Sequence, residues 1–181
     1  MNKNELRKEF LIKRNELTSN YREFASHNII KNIEDNELFK SAKSIFIYVS
    51  FGSEVETYTL IKKYINTKTI YVPKIVDNDM KLVQINDFDN LIRSNFGILE
   101  PKENIFHDGS VDLVITPSVV FSKDGFRIGY GKGYYDKFFA KKLHKYSIGV
   151  SFDKLLQNKV PTDAHDIAVD YIITEKETIK C

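Results

Sequence analysis

A chain of 181 residues with 42% apolar side chains is long enough for one domain with a sizeable core, here expected to span residues 1–181. Its 27 Lys and Arg against 25 Asp and Glu leave a net charge of +2, too weak a field to select nucleic acid or an anionic membrane, so any anion site has to be local. A single cysteine, Cys181, excludes an intrachain disulfide and points to a reducing compartment; MNKNELRKEFLIKRNEL has no apolar signal core and no window reaches the ~20 apolar residues of a membrane span, so a soluble, cytoplasmic protein is expected.

Residues 2–17 place Leu6, Phe10 and Leu17 at helical spacing, and 21–33 repeat the pattern with Phe24, Ile29, Ile30 and Ile33 after the capping candidates Thr18, Ser19 and Asn20. The run SIFIYVS (44–50) is β-branched and aromatic throughout, the pattern of a strand covered on both faces and hence of a parallel sheet. Further strands are predicted at 69–73, 80–85, 112–116, 146–152 and 170–174, with helices over 57–65 and 133–142; this alternation defines α/β architecture. Residues 87–109 have weak periodicity and clustered Asn, Asp, Gly and Pro, and read as irregular chain between two strands.

The segment DGFRIGYGKGYYDKFF (124–139) carries the chemistry. Alternating Gly129, Gly131 and Gly133 let successive amides converge on an oxyanion, the helix starting near Gly133 adds its own unpaired N–H groups, and Arg127 and Lys132 add full charges. The order G-x-G-x-G is neither a P-loop, which needs a glycine five positions before Gly131-Lys132, nor a dinucleotide fingerprint directly after a strand. A glycine-rich hairpin chosen only for tight turns is the bland alternative. Asp136, three residues beyond Gly133, is either a metal-binding carboxylate beside a phosphate or an acid that favours the helix dipole.

Lys3, Arg7 and Arg14 share one side of the first helix away from Leu6, as a phosphate clamp or as solvated surface. Glu54 and Glu56 lie in the loop after the first strand, at the carboxyl end where open α/β sheets bind ligands; a carboxylate there suits an amidine-like edge, while Glu56 serves equally as a helix cap. Asp163, His165, Asp166 and Asp170 cluster before the last strand, as a metal or proton-transfer group or as a polar loop. His27, His107 and His144 have no partners at ligand spacing, and no zinc site is expected.

The glycine segment resembles the signature of 5-formyltetrahydrofolate cyclo-ligases, G-x-R-[LI]-G-x-G-x-G-Y-Y-D, with Ile128 and Lys137 as slight departures. The likeness extends to KNELRKEFLIKR, IYVSFGSEVET and VPTDAHDIAVDYIIT, in the family's order. It implies a single-domain α/β fold, a mostly parallel sheet flanked by helices, similar to sugar-phosphate isomerases and coenzyme A transferases. It implies ATP as co-substrate, held by Lys3, Arg7, Arg127, Ile128, Gly129, Tyr130, Gly131, Lys132, Gly133, Tyr134 and Tyr135; Arg127 and Lys132 as catalytic groups; and Mg²⁺ on Asp136 and Asp166. Val49, Glu54 and the Tyr130 to Tyr134 backbone would line the folate site. The implied reaction phosphorylates the N5-formyl oxygen, N10 closes the ring, and ADP, phosphate and 5,10-methenyltetrahydrofolate result. Asparagine at 136 is then expected to weaken Mg²⁺ binding with little effect on folding. The competing readings are a phosphosugar isomerase or acyl-transfer relative and a non-catalytic phosphometabolite sensor. A monomer is expected, because no large apolar helix face is evident.

Overall fold

The computed structural model describes residues 1–181. Its first helix, α1 (Lys3–Glu16), is started by a capping box: the Asn2 side chain accepts from the Glu5 amide (3.0 Å) and the Glu5 carboxylate from the Asn2 amide (2.8 Å). Helix α2 (Ser19–Asp35) begins at Thr18, whose hydroxyl accepts from the Tyr21 amide, and buries Ala25, Ile29, Ile30 and Ile33. Phe24 does not join that stripe and stays exposed, because Ala25 takes the inward position. The short helix α3 (Glu37–Ser41), capped by Asn36, was not anticipated.

Strands β1 (Ser44–Ile47), β2 (Thr69–Val76), β3 (Asp79–Ile85), β6 (Val111–Thr116), β9 (His144–Val150), β10 (Tyr171–Ile173) and β11 (Thr178–Lys180) form one seven-stranded sheet in the order β11-β10-β9-β6-β1-β2-β3. The five inner strands run parallel, while β3 and β11 close the edges antiparallel. The β2–β3 turn is the pair Asp77-Asn78, both at positive φ (52° and 58°), the two residue types besides glycine that tolerate a tight hairpin of this hand.

Side chains of the parallel strands alternate between two apolar clusters. Ile45, Ile47, Ile70, Val72, Leu113, Ile115, Ile148 and Val150 face one, together with Phe10 of α1, Ile29 and Ile33 of α2, Phe39 of α3, and Leu60 and Ile61 of α4 (Tyr58–Tyr64). Phe46, Tyr71, Val114 and Ile172 face the other, covered by Phe138 and Phe139 of α5 (Tyr134–Ala140). The sheet therefore lies between four helices and one, the mostly parallel α/β arrangement expected from the uninterrupted apolar strands. Gly149 on β9 faces the thinner layer, where a Cβ would fall 2.5 Å from the Phe121 ring.

The expected run 44–50 is strand only to Ile47, with Tyr48 to Ser50 buried beyond it. Within 87–109, expected to be irregular, the two-residue strands β4 (Ile92–Arg93) and β5 (Leu99–Glu100) pair as a small hairpin across residues 94–98. A second small hairpin, β7 (Val120–Phe121) with β8 (Arg127–Ile128), presents the glycine segment. Chain order reverses at β1, whose onward connection through α4 leads to β2 on one side while β6 lies on the other. Loops leaving the carboxyl ends of β1 and β6 thus diverge and leave a crevice.

Candidate active site

The glycine loop leaves β8 at Ile128 and enters α5 at Gly133. Gly131 (φ 97°) and Gly133 (φ 67°, the N-cap of α5) need the left-handed region, so a side chain at either would be strained. Over this loop lies Arg7 of α1: its Nε donates to the Gly129 carbonyl (2.6 Å), and a Cβ at Gly131 would sit 3.4 Å from the guanidinium. Lys132 projects from the loop exposed, with no hydrogen bond or ion pair. Because α5 has only seven residues, its dipole contributes less than expected, and the side-chain cations dominate the anion field.

Arg127 is buried beneath the loop. Its Nη1 donates to the Ile167 carbonyl (2.7 Å), Nη2 to Asp136 Oδ1 (2.7 Å), and its guanidinium lies 4.9 Å from the Phe139 ring centre. Burial pulls its pKa down, and the Asp136 charge opposes that shift. Asp136 Oδ1 also accepts from the Ile167 amide (3.1 Å), which places it next to Asp166 in the following loop. The expectation that Asp136→Asn would barely affect folding is therefore revised: this carboxylate neutralises a buried cation.

Lys3 reaches that same loop. Its Nζ lies 2.7 Å from Asp163 Oδ2 and also pairs with Asp166. Burial alone would raise the Asp166 carboxyl, but the Lys3 ammonium and the Asp163 amide outweigh it and hold the group below the usual carboxylate range. Ligand atoms of Asp163, His165 and Asp166 lie within 4.8 Å of one another. Asp170, expected with them, instead accepts from the Ser147 amide (2.7 Å) and fastens β10 to β9.

On the β1 side, Glu54 Oε2 accepts from the Phe51 amide (2.8 Å) and Oε1 from the Tyr130 hydroxyl (3.0 Å). Burial raises its carboxyl above the usual range, and the Phe51 amide, the Arg14 charge and the Tyr130 hydroxyl offset this in part. Glu56 accepts from the Thr59 amide (2.8 Å) and hydroxyl, so the capping role is the one it takes. The Val49 side chain is buried in the core at the end of β1. Tyr134 begins α5 partly buried against Phe46's cluster, and Tyr135 stacks near Phe46 with ring centres 6.1 Å apart.

The structure therefore brings Lys3, Arg7, the 127–136 segment and Asp166 together, and sets Glu54 against Tyr130 at the loop's other end. Arg14 departs from its expected place: only 5% exposed, it lies inside, on the Phe10 side of α1. Its position four residues after Phe10, one helical turn on the buried face, was the available signal. Ser53 and Ser118, which bond it, carried no sequence signal.

These features define an α/β enzyme whose cations, glycine loop and carboxylates converge at the carboxyl ends of parallel strands. The model of the 5-formyltetrahydrofolate cyclo-ligase family matches residues 1–175. A probable 5-formyltetrahydrofolate cyclo-ligase of Caenorhabditis elegans is 32% identical over 169 residues, covering 83% of this chain and 82% of the relative. The mouse 5-formyltetrahydrofolate cyclo-ligase is 28% identical over 153 residues, 76% of this chain and 75% of its own. The solution structure of Aquifex aeolicus 5,10-methenyltetrahydrofolate synthetase superposes with a TM-score of 0.87 at 33% identity, covering 99% of this chain and 93% of that one. The chain belongs to the 5-formyltetrahydrofolate cyclo-ligase family, and its enzyme class is that of a cyclo-ligase. This membership sets aside the isomerase and sensor readings. No helix is long and apolar enough to cross a membrane.

Proposed function

We propose that this chain converts 5-formyltetrahydrofolate to 5,10-methenyltetrahydrofolate at the expense of ATP and with Mg²⁺. The observation that supports this best is the meeting of Arg7 and the free Lys132 at the Gly129–Gly133 loop, with Lys3 and two loop carboxylates beside it. Such a set matches a triphosphate accompanied by a hard dication.

Asp136 and Asp166 fit Mg²⁺ as hard oxygen donors that flank the Ile167 amide; Asp136 meets Arg127 and that amide through Oδ1 alone, and Lys3 would yield Asp166 to the ion. When bound there, Mg²⁺ would supply charge neutralisation on the phosphate oxygens. The protein's own groups do the rest. Loop amides and Arg7 hold the triphosphate, and Lys132 follows the charge that develops on the transferring phosphoryl group. Glu54, oriented by the Phe51 amide and the Tyr130 hydroxyl, accepts from the amino and ring N–H donors of the pterin and so holds the formyl group toward that phosphoryl.

The formyl oxygen attacks the γ-phosphorus and the bond to ADP breaks. N10 then adds to the formyl carbon, and the C–O bond breaks with loss of inorganic phosphate and the N10 proton. Phosphorylation thus replaces an oxide leaving group by phosphate, which departs readily. The reading is tested by the methenyltetrahydrofolate absorbance on mixing protein with 5-formyltetrahydrofolate: it should grow with Mg-ATP and not without, and growth without ATP would overturn it.

A further inference from the structure

Arg14 is the buried charge that the reaction above leaves unused. It makes no salt bridge, yet each of its three guanidinium nitrogens donates to a different loop at the carboxyl edge of the sheet. Its Nε donates to Ser53 Oγ (3.0 Å) in the β1–α4 loop, Nη1 to the Ser118 carbonyl (3.2 Å) after β6, and Nη2 to the Tyr130 hydroxyl (2.6 Å) in the glycine loop. The Ser53 hydroxyl donates in turn to Asn15 Oδ1 (2.6 Å). Burying a cation is costly, and an apolar residue beside Phe10 would fill the space at lower cost.

What the guanidinium adds is direction. Guanidinium nitrogens only donate, so the Tyr130 oxygen receives from Arg14 and must aim its proton elsewhere. The acceptor it meets is Glu54 Oε1, 3.0 Å away. Glu54 is thereby held as an acceptor at both oxygens, by Tyr130 and by the Phe51 amide, with its remaining lone pairs directed by that frame. The phenol also ties the glycine loop to the Glu54 loop, so the phosphate end and the folate end of the site share one strut.

We propose that Arg14 is a positioning residue for the folate substrate, acting through the Tyr130 hydroxyl on the orientation of the Glu54 carboxylate. This rests on the reading of Glu54 as the acceptor for the pterin's donors.

The test is steady-state kinetics on Glu54→Gln, Tyr130→Phe, Arg14→Met and the Arg14→Met/Tyr130→Phe pair, with melting temperatures alongside. Tyr130→Phe removes one hydroxyl from a half-exposed ring and carries the test if Arg14→Met does not fold. The expected result is a rise of about tenfold or more in KM for 5-formyltetrahydrofolate in each single variant, the scale of one lost charge-assisted hydrogen bond, with KM for ATP rising less because the loop amides and Arg7 remain. The double variant should be no worse than the weaker-binding single one, because both remove the same relay. Arg14→Lys, which reaches only one of the three loops at a time, should recover part of the loss. Multiplying effects in the double variant, or a lowered melting temperature with unchanged folate KM, would overturn the proposal. An unchanged folate KM in Glu54→Gln would overturn the reading of Glu54 beneath it; a raised KM there with a wild-type Tyr130→Phe would sink the relay alone.

Discussion

Substitution at Asp136 separates its partnership with Arg127 from its proposed service to Mg²⁺. Asparagine keeps an oxygen that accepts from Arg127 Nη2 and the Ile167 amide, so the loss is the difference between charge-assisted and neutral hydrogen bonds, about 1–1.5 kcal/mol. Alanine leaves a guanidinium whose side chain is 5% exposed without a counter-charge, a loss of about 3 kcal/mol or more. Asp136 itself is 22% exposed, so solvent screens part of this and the lower ends apply. At about 2–4 °C per kcal/mol for a chain of this size, the melting temperature should fall about 2–4 °C for Asp136→Asn and about 6–12 °C for Asp136→Ala, both measured without ligand. Added Mg-ATP should raise the melting temperature of the wild type and do so much less in Asp136→Asn. If Asp136→Asn melts with the wild type, the ion pair carries no stability; if Mg-ATP stabilises it fully, Asp136 does not hold the metal.

Lys132→Ala should reduce kcat by about 100-fold or more, some 3 kcal/mol of lost transition-state stabilisation, at an unchanged melting temperature because Lys132 touches nothing in the fold; an unchanged kcat removes it from the catalytic groups. Lys3→Met should destabilise the protein by at most about 1 kcal/mol at neutral pH. The lowered Asp166 carboxyl contributes above its unfolded value of about 3.9 and loses that contribution as pH falls through its folded value, so urea midpoints of wild type and variant should converge in acid; a gap that persists below the folded value refutes the pairing. Gly149→Ala should cost about 1–3 kcal/mol, since its Cβ would meet the Phe121 ring at 2.5 Å, and a wild-type urea midpoint would show that the ring moves freely.

The long helices α1 and α2 were legible because each carries both periodicity and caps, and the inner strands because burial on both faces leaves them uninterrupted. Helix α3 and the three-residue β11 are too short to show a period, and the two-residue strands of the small hairpins exist only through their partners. Helix period located the stripe of α2, but its edge depended on packing: Ala25 turned inward and Phe24 outward. In the site, the glycine loop announced itself by spacing and the acidic loop by density. Which carboxylate serves which cation was not legible, because Lys3 finds Asp163 and Asp166 only through the tertiary fold, and Asp170, equally acidic, was drawn off by Ser147. Arg14 was misplaced because charge usually marks the wet side of a helix, a rule that this buried, hydrogen-bonded arginine breaks.

The span between Lys3 and its partners also bears on synthesis. Asp163 and Asp166 are translated 160 and 163 residues after it, about ten seconds or more at ordinary ribosomal rates. Arg14 gains its Ser118 and Tyr130 partners well before that interval ends, whereas Lys3 stays without Asp163 and Asp166 until its close. A nascent chain halted after α5 would already own the glycine loop and Arg7, yet Lys3 would have no acidic loop to dock against. The Lys3 pairing is therefore a late event in the life of the polypeptide, and α1 cannot dock on the acidic loop until nearly the whole chain has been made.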